Sequence, residues 1–284
     1  MSPAQQPGAL WLALQFPHLA LDLASRGDPR YRKRPLAISD GNQRGQHVYD
    51  CNPPAARAGI RAGMPVNAAL GLLGGLQLKA REPQAEQQAL ERLAAWCYQY
   101  SSQVCLLPGR TALVLEAGAS RRLFGAAETL SRDLDAALLR MGYHARSGSA
   151  PTPEAAQLAA RHGLHLAQAA ELRRDLGRLP LDSLYLPPAQ REALAKTGFS
   201  TIGEILRLPR KALARRMGPA TVTYLDRLTG SRPTPVKAWQ PPAHFSATLD
   251  LAPEITGSQA LLFPLRRLVS ELCGTLRGND CGIQ

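Results

Sequence analysis

Residues 10–16 read Leu-Trp-Leu-Ala-Leu-Gln-Phe, and Pro17 follows them. An apolar run this short, closed by proline, reads as a buried strand rather than a helix. The flanking sequence decides which sheet it joins. A polar, basic loop at Arg26–Arg34 is followed by short strands expected at Leu36–Ser39 and His47–Asp50. Pro53-Pro54 opens a helix of small residues, AARAGIRAGMP, which Gly63 and Pro65 close. Gln84–Tyr100 carries Leu90, Leu93, Ala94, Cys97 and Tyr100 on one helical stripe. Strands at Val104–Leu107 and Thr111–Ala117 flank the turn Pro108-Gly109-Arg110. A helix at Ala126–Met141, with Leu130, Leu134, Leu138 and Met141 on one face, a strand at Tyr143–Ser149 and a helix at Pro153–His162 complete the region. Read together, these elements give βαββαβ, the split-βαβ order of ferredoxin-like folds, with a small α/β insertion after the first strand.

Beyond Leu172 the strand signals stop. Short helices are expected at Pro188–Thr197, Thr201–Leu208, Arg210–Met217 and Pro219–Thr229, joined by tight Gly and Pro turns. Ser231–Ala243, with four prolines, reads as a linker. A strand-like segment, HFSATLDL, and an amphipathic helix at Leu261–Leu276 end the chain. That helix places Leu261, Leu265, Leu268, Val269, Leu272 and Leu276 on one face, which one strand and one helix cannot bury alone.

The composition is 45% hydrophobic, 5% aromatic and 20% charged, which is ordinary for a globular protein and excludes a mainly disordered or fibrous chain. The 284 residues suit one large domain or two to three small ones. No apolar run approaches the ~18 residues of a membrane span, and MSPAQQPGA at residues 1–9 is not a secretory signal. The five cysteines form no CxxC pair, so neither a zinc knuckle nor a disulfide framework is expected, and a reduced cytoplasm fits best.

The net charge of +12 is unevenly spread: residues 173–237 carry 13 basic and 5 acidic residues, a net +8 in about a quarter of the chain. Genome composition can explain 29 Arg against 5 Lys, but not this clustering. Such a segment points to nucleic-acid phosphate, and helix ends and turn N–H groups grip phosphate without reading sequence.

Standard catalytic patterns are missing from the sequence. There is no GxGxxG and no nucleophile elbow, and Gly71–Lys79 (GLLGGLQLK) is only a loose echo of a phosphate loop. His162 with His165, Cys97 with Cys105, and Asp133 with Asp135 are each better read as structural or solvated residues than as metal ligands. Ser147, Ser149 and Thr152 have no histidine base nearby in sequence. No cofactor and no metal is expected.

The order of the pieces resembles the Y-family (lesion-bypass) DNA polymerases over about Leu10 to Gln284. Asn52, Ala55 and Gly59-Ile60-Arg61-Ala62-Gly63-Met64-Pro65 match the fingers segment of that family. The resemblance implies an α+β fold: a ferredoxin-like palm (9–24 and 84–170), inserted fingers (25–83), a helical thumb (171–232), a linker (233–243) and a partial little-finger domain (244–284) that the chain cuts off soon after it begins.

Active members hold two Mg²⁺ with an Asp ending the first strand and an Asp-Glu pair in the palm hairpin, as hard cations require. Those positions are Leu14, Thr111 and Ala112 here. The family's triphosphate-holding Tyr and Arg fall on Pro53 and Ala56, with Arg57 adjacent but on another helical face. Five such departures, together with the segments LWLALQFP, LEAGASRRLFG, APTPEAAQLAAR and GFSTIGEILRLPRKALARRMG, resemble the catalytically inactive ImuB-type subgroup.

The implied role is a non-catalytic scaffold in a mutagenic translesion-synthesis complex of the DNA-damage response. The implied partners are DNA, the sliding clamp, an ImuA-type recombinase-like protein and an error-prone replicative-type polymerase. The turn that is Gly-rich in active thumbs reads Leu184-Tyr185-Leu186-Pro187-Pro188 here. Phosphate contacts are therefore expected from Lys196, Gly198, Gly203, Arg207, Arg210, Lys211, Arg215 and Arg216. The competing readings are an active polymerase using Asp22 or Glu116, and a protein-interaction module that binds no DNA.

Overall fold

The computed structural model describes residues 9–26, 28–41, 45–107, 109–166, 168–196, 198–241, 245–249, 251 and 258–278. Pro108 and Thr197, residues 242–244 of the linker region, and residues 279–284 at the C-terminus lie outside the described residues. The fold is α+β. Its strands are β1 (Trp11–Gln15), β2 (Leu36–Ser39), β3 (Val48–Cys51), β4 (Gln77–Ala80), β5 (Val104–Leu106), β6 (Ala112–Glu116) and β7 (Arg146–Ala150). The helices are α1 (Leu19–Arg26), α2 (Pro53–Arg57), α3 (Val66–Leu72), α4 (Pro83–Cys97), α5 (Arg121–Phe124), α6 (Ala127–Met141), α7 (Pro153–His162), α8 (Leu172–Gly177), α9 (Pro188–Ala195), α10 (Ile202–Leu206), α11 (Arg210–Met217), α12 (Pro219–Leu228) and α13 (Ser258–Gly278). They fall into two compact units, one of residues 1–15, 100–135 and 146–239, the other of residues 16–99, 136–145 and 240–284. The expected fingers (25–83) fall within the second unit and the expected thumb (171–232) within the first, while the expected palm contributes to both.

In the first unit the strands run β5-β6-β1-β7, all antiparallel, which is the ferredoxin-like order. β1 pairs on both edges and its first four residues are buried on both faces, which is why its sequence is a continuous apolar run rather than an alternation. Trp11 and Ala13 belong to a core that continues through Ala155, Ala156 and Leu158 of α7 into Leu172, Leu176, Ile202, Leu213 and Leu225 of the helical module. One core thus joins the sheet to that module. Gly148 makes the β7–α7 contact possible, because a Cβ there would lie 2.6 Å from Ala160 Cα. α8 and α10 cross just as closely at Gly177 and Gly203, where a Cβ on Gly203 would lie 2.8 Å from the Gly177 carbonyl oxygen. The expected linker is anchored to this unit: Thr234 donates to Glu154, and the Trp239 N–H donates to the Val104 carbonyl at 2.7 Å.

The second unit holds the three-stranded sheet β3-β2-β4, antiparallel between β2 and β3 and parallel between β2 and β4. Asn52 ties it together. Its Oδ1 accepts from Ala55 (3.1 Å) and Leu36 (3.0 Å), and its Nδ2 donates to the Tyr31 and Arg34 carbonyls, both at 2.8 Å. It caps α2, with Pro53 in the first turn. α2 is shorter than the sequence suggests. It stops at Arg57 because Gly59 and Gly63 take φ values of 97° and 83°, and the chain turns back to make strand-like bonds with Val48. β4, α1, α3 and α8 go beyond the elements expected from sequence. Conversely, the described residues of HFSATLDL enter neither sheet, and a strand exists only when paired.

α13 also departs from expectation. It packs on α4, but with one edge of its apolar stripe outward: Leu261, Leu265 and Val269 are 44%, 53% and 47% exposed, while Leu268, Leu272 and Leu276 are half-buried. The buried face carries Arg267, Glu271, Gly274 and Thr275, centred about 125° around the helix from that stripe. Glu271 accepts from the buried Arg26 guanidinium and from the Tyr143 hydroxyl at 3.2 Å, with Arg92 Nε at 3.6 Å. Arg26 in turn donates to the Met141 carbonyl at 3.0 Å and lies 4.0 Å over the Tyr143 ring. Gly274 leaves room for the Trp96 indole. The ion pair and the small residues choose the face because a charge buried without a partner costs more than exposed leucines.

Substitutions at these contacts should therefore differ in cost. Glu271→Ala strands the buried Arg26 charge and should cost about 3–5 kcal/mol, whereas Arg26→Met with Glu271→Leu should melt close to the parent. At the crossing of α8 and α10, Gly203→Ala should destabilise by roughly 1–3 kcal/mol through overpacking, although alanine is the better helix former. Gly198 has φ 74° and open space around its Cβ position, so Gly198→Asn should melt within a degree or two of the parent. Thermal denaturation distinguishes the two glycines.

Candidate nucleic-acid interface

The C-terminal end of β1 and the N-terminal end of β6 meet in a fixed register, Leu14 opposite Leu113 and Gln15 opposite Ala112. Leu14 and Leu113 are fully buried, Ala112 nearly so, and Thr111 precedes the strand. Side chains from other elements close this end of the sheet. Gln15 Nε2 donates to the Gln157 carbonyl at 2.8 Å and to the Tyr185 hydroxyl. Arg110 donates to Gln157 Oε1, and its guanidinium lies 3.9 Å over the Tyr185 ring. The Tyr185 N–H donates to the Tyr224 hydroxyl at 3.2 Å, which ties the turn before α9 to α12.

Divalent ions at a triphosphate need carboxylate oxygens. This end of the sheet offers two aliphatic side chains, amides and a guanidinium, so the donor set does not fit Mg²⁺. Glu154, in the first turn of α7, accepts from Thr234 instead, and burial pushes its pKa up. Among the described residues no three His, Cys, Asp or Glu side chains come together in a way that could hold a metal ion.

The two alternative acids are engaged elsewhere. Glu116 pairs with Trp11 at the far end of β1, about 13 Å along the strand from Ala112. Its carboxylate accepts the Gly118 N–H at 2.8 Å and the Ala119 N–H at 3.2 Å. Asp22, in the second unit, is buried on α1. It accepts the His144 main-chain N–H at 2.8 Å and lies 2.6 Å from the His144 Nδ1. The fingers positions Pro53 and Ala56 lie on α2, where Pro53 and Arg57 are exposed.

The expected phosphate-gripping residues separate into several groups. Lys211, Arg215 and Arg216 stand exposed on α11, and Lys196 follows α9, also exposed. Gly198 forms a left-handed turn with open space around it, as a backbone contact to phosphate would need. Arg210 is not free in the same way: it is ion-paired with Asp226 of α12. Gly203 packs against the Gly177 carbonyl and lines the groove beside that contact. Arg207 lines a groove with Arg173, Arg174 and Arg178 around that crossing. Those three arginines lie inside the basic segment, but sequence alone does not single them out, because the pairing of Gly177 with Gly203 that brings them to Arg207 has no local signal. Arg174 is partly balanced by Glu171 and Asp175, and Arg173 donates to the Leu206 carbonyl.

Comparisons with known proteins agree with this geometry. The impB/mucB/samB family profile matches residues 15–161, about half of the chain. Protein ImuB of Caulobacter vibrioides is 34% identical over 175 residues, covering 61% of this chain and 38% of that protein. DNA polymerase IV of Aeromonas hydrophila is 28% identical over 255 residues, covering 87% of this chain and 72% of that one. The chain therefore spans well under half the length of the ImuB protein it matches. Among solved structures, DinB from Sulfolobus solfataricus superposes with a TM-score of 0.64 at 18% identity, covering 81% of this chain and 69% of that one. An insertion ternary complex of Dbh DNA polymerase gives 0.66 at 18% identity, covering 80% and 69%. With this fold and a profile match from the end of β1 through the inserted sheet and the β5–β6 hairpin into α7, the chain belongs to the impB/mucB/samB family, with the architecture of Y-family DNA polymerases.

Proposed function

We propose that this chain is a non-catalytic, DNA-binding scaffold of a translesion-synthesis complex in the DNA-damage response. The observation that carries the reading is the end of β1 and β6, where Leu14 and Ala112 are buried and Arg110, Tyr185, Gln15 and Gln157 close the space. A guanidinium there opposes the binding of two divalent cations. The likeness to ImuB supports the same reading. The exposed cations of α11 and the arginine groove at α8 and α10 supply the DNA contact, through phosphate and without sequence preference. The sliding clamp, an ImuA-type recombinase-like protein and an error-prone replicative-type polymerase are the partners this reading assigns, in the cytoplasm. No described helix is long and apolar enough to cross a membrane.

The likeness to DNA polymerase IV favours a second reading, an active bypass polymerase. Primer extension with Mg²⁺ or Mn²⁺ separates the two: pure protein should add no templated nucleotide, and any templated addition overturns the scaffold reading. Phosphate gripping is tested by salt titration on primed DNA. Replacing Lys211, Arg215 and Arg216 with alanine should flatten the slope of log affinity against log salt by about 0.9 for each phosphate no longer neutralised. Arg210→Ala should change it less, because Asp226 already holds that charge. An unchanged slope in the triple variant would rule the α11 surface out, and no DNA binding at moderate salt would leave only a protein-interaction module.

A further inference from the structure

A second cationic site lies in the sheet half of the first unit, away from α11. A cavity of about 480 Å³ opens between α6, the start of β7 and the end of α7. Arg132, Arg146, Arg161 and His165 line it above a floor of Ser147 and Asp135. The three arginines are exposed, and among the described residues none is within ion-pairing distance of a carboxylate. Arg132 makes only long bonds of 3.4 Å to the Glu128 carbonyl and Thr129 Oγ1, and Arg161 makes one of 3.4 Å to the Ser183 carbonyl and lies 5.9 Å over the Tyr185 ring. α7 ends here, and its carbonyls would repel an anion. However, the N–H groups of Gly163 and Leu164 cap the Ala159 and Ala160 carbonyls. His162 also lines the cavity; even with Asp135 ionised and only the three arginines counted against it, the lining keeps a net positive charge.

The floor is a fixed hydrogen-bond relay. The buried Ser131 hydroxyl donates to Ser147 Oγ, which donates to Asp135 Oδ2 at 2.5 Å. Asp135 Oδ1 is buried and has no hydrogen-bond partner. Oδ1 is closed to solvent, but Asp135 as a whole is only half-buried and lines the cavity, so its carboxylate can accept a donor from an occupant beside the Ser147 bond. Burial raises the Asp135 pKa despite the Ser147 bond and the nearby His165. The occupant must therefore carry an anionic group for the arginine rim and an N–H or O–H donor for the floor. A nucleotide has both, and its base offers a flat face on which guanidinium planes stack.

We propose that this cavity binds a 5′-phosphorylated nucleotide, with the phosphate among Arg132, Arg146 and Arg161 and a base or sugar donor on Asp135. The occupant is a free mononucleotide or the terminal nucleotide of a 5′-phosphorylated strand. The site is independent of the α11 surface proposed to grip DNA.

Calorimetric titration with a 5′-deoxymononucleotide, the matching nucleoside and inorganic phosphate tests it. The mononucleotide should bind saturably at millimolar or lower concentration, and tighter than either fragment. Arg146→Ala, at an exposed position, should weaken it about tenfold without lowering the melting temperature. Asp135→Asn keeps an acceptor for Ser147 and should shrink the preference for nucleotide over inorganic phosphate. The Lys211, Arg215 and Arg216 alanine variant should bind the mononucleotide as the parent does. Preference for a 5′-phosphorylated oligonucleotide over its 5′-hydroxyl form assigns the site to strand ends, and equal binding assigns it to free nucleotide. The assignment falls if no mononucleotide binds, if inorganic phosphate binds as tightly, if Arg146→Ala changes nothing, or if the α11 variant abolishes binding.

Discussion

The two-sided burial of β1 is the constraint on which the first unit rests. The strand is paired on both edges and packed on both faces, so each side chain on it enters a full core. A strand in that position can end in carboxylates only if something else, such as a bound cation, offsets their desolvation and mutual repulsion. Once Leu14 and Ala112 stand there, that conflict between chemistry and stability disappears, and the end of the sheet becomes ordinary core. Gln15 is the polar remainder, and its bonds to the Gln157 carbonyl and Tyr185 hydroxyl satisfy it completely enough to be buried in part. The same change recruits Arg110. In a site that held two divalent ions a guanidinium would be repelled; here it stacks on Tyr185 and joins sheet to helical module.

That closure has a consequence for the helical module. Tyr185 bonds Gln15 and Thr152 bonds the Leu228 carbonyl across its seam with the sheet, Tyr224 braces Tyr185 from α12, and the apolar core is continuous through the seam. The arginine groove and α11 are therefore carried on a fixed base. A phosphate-binding surface carried on a fixed base loses fewer rotatable degrees of freedom, which means less ordering cost on binding. The double-glycine crossing of α8 and α10 serves the same end, since it brings Arg207 beside Arg173, Arg174 and Arg178 without any direct bond among them.

Much of this is legible in the sequence, for identifiable reasons. The run at residues 10–16, the stripes of α4 and α6 and the bounds of α11 follow from periodicity and from Pro and Gly punctuation. So does the ferredoxin-like order, which needs only the types and sequence of elements. What sequence reading misses depends on knowing a partner. β4 is a short strand in a Gly-rich stretch with no alternation, formed because β2 offers an edge. The small-residue helix reads too long because two left-handed glycines look the same in sequence as helix-tolerated ones. At the candidate site, the expectation that Leu14, Thr111 and Ala112 stand at metal-ligand positions is a reading of sequence position alone, whereas Arg110, Gln157 and Tyr185 come from three separate segments, and only the folded register brings them together.

α13 shows why an amphipathic pattern reports a face without naming its destination. Its leucine stripe gives the stronger sequence signal, yet the adjoining face carries Arg267, Glu271, Gly274 and Thr275, and that is the more deeply buried one. Hydrophobic burial is non-directional and graded; an ion pair with Arg26 is specific in place, and close packing against Trp96 admits only glycine. When the two stripes compete for one neighbour, the specific one sets the rotation of the helix and the graded one is left to the solvent side. The outward Leu261 and Leu265 follow from the same preference that closes the end of β1: a buried charged group keeps the position where its main partners stand, and apolar side chains yield it.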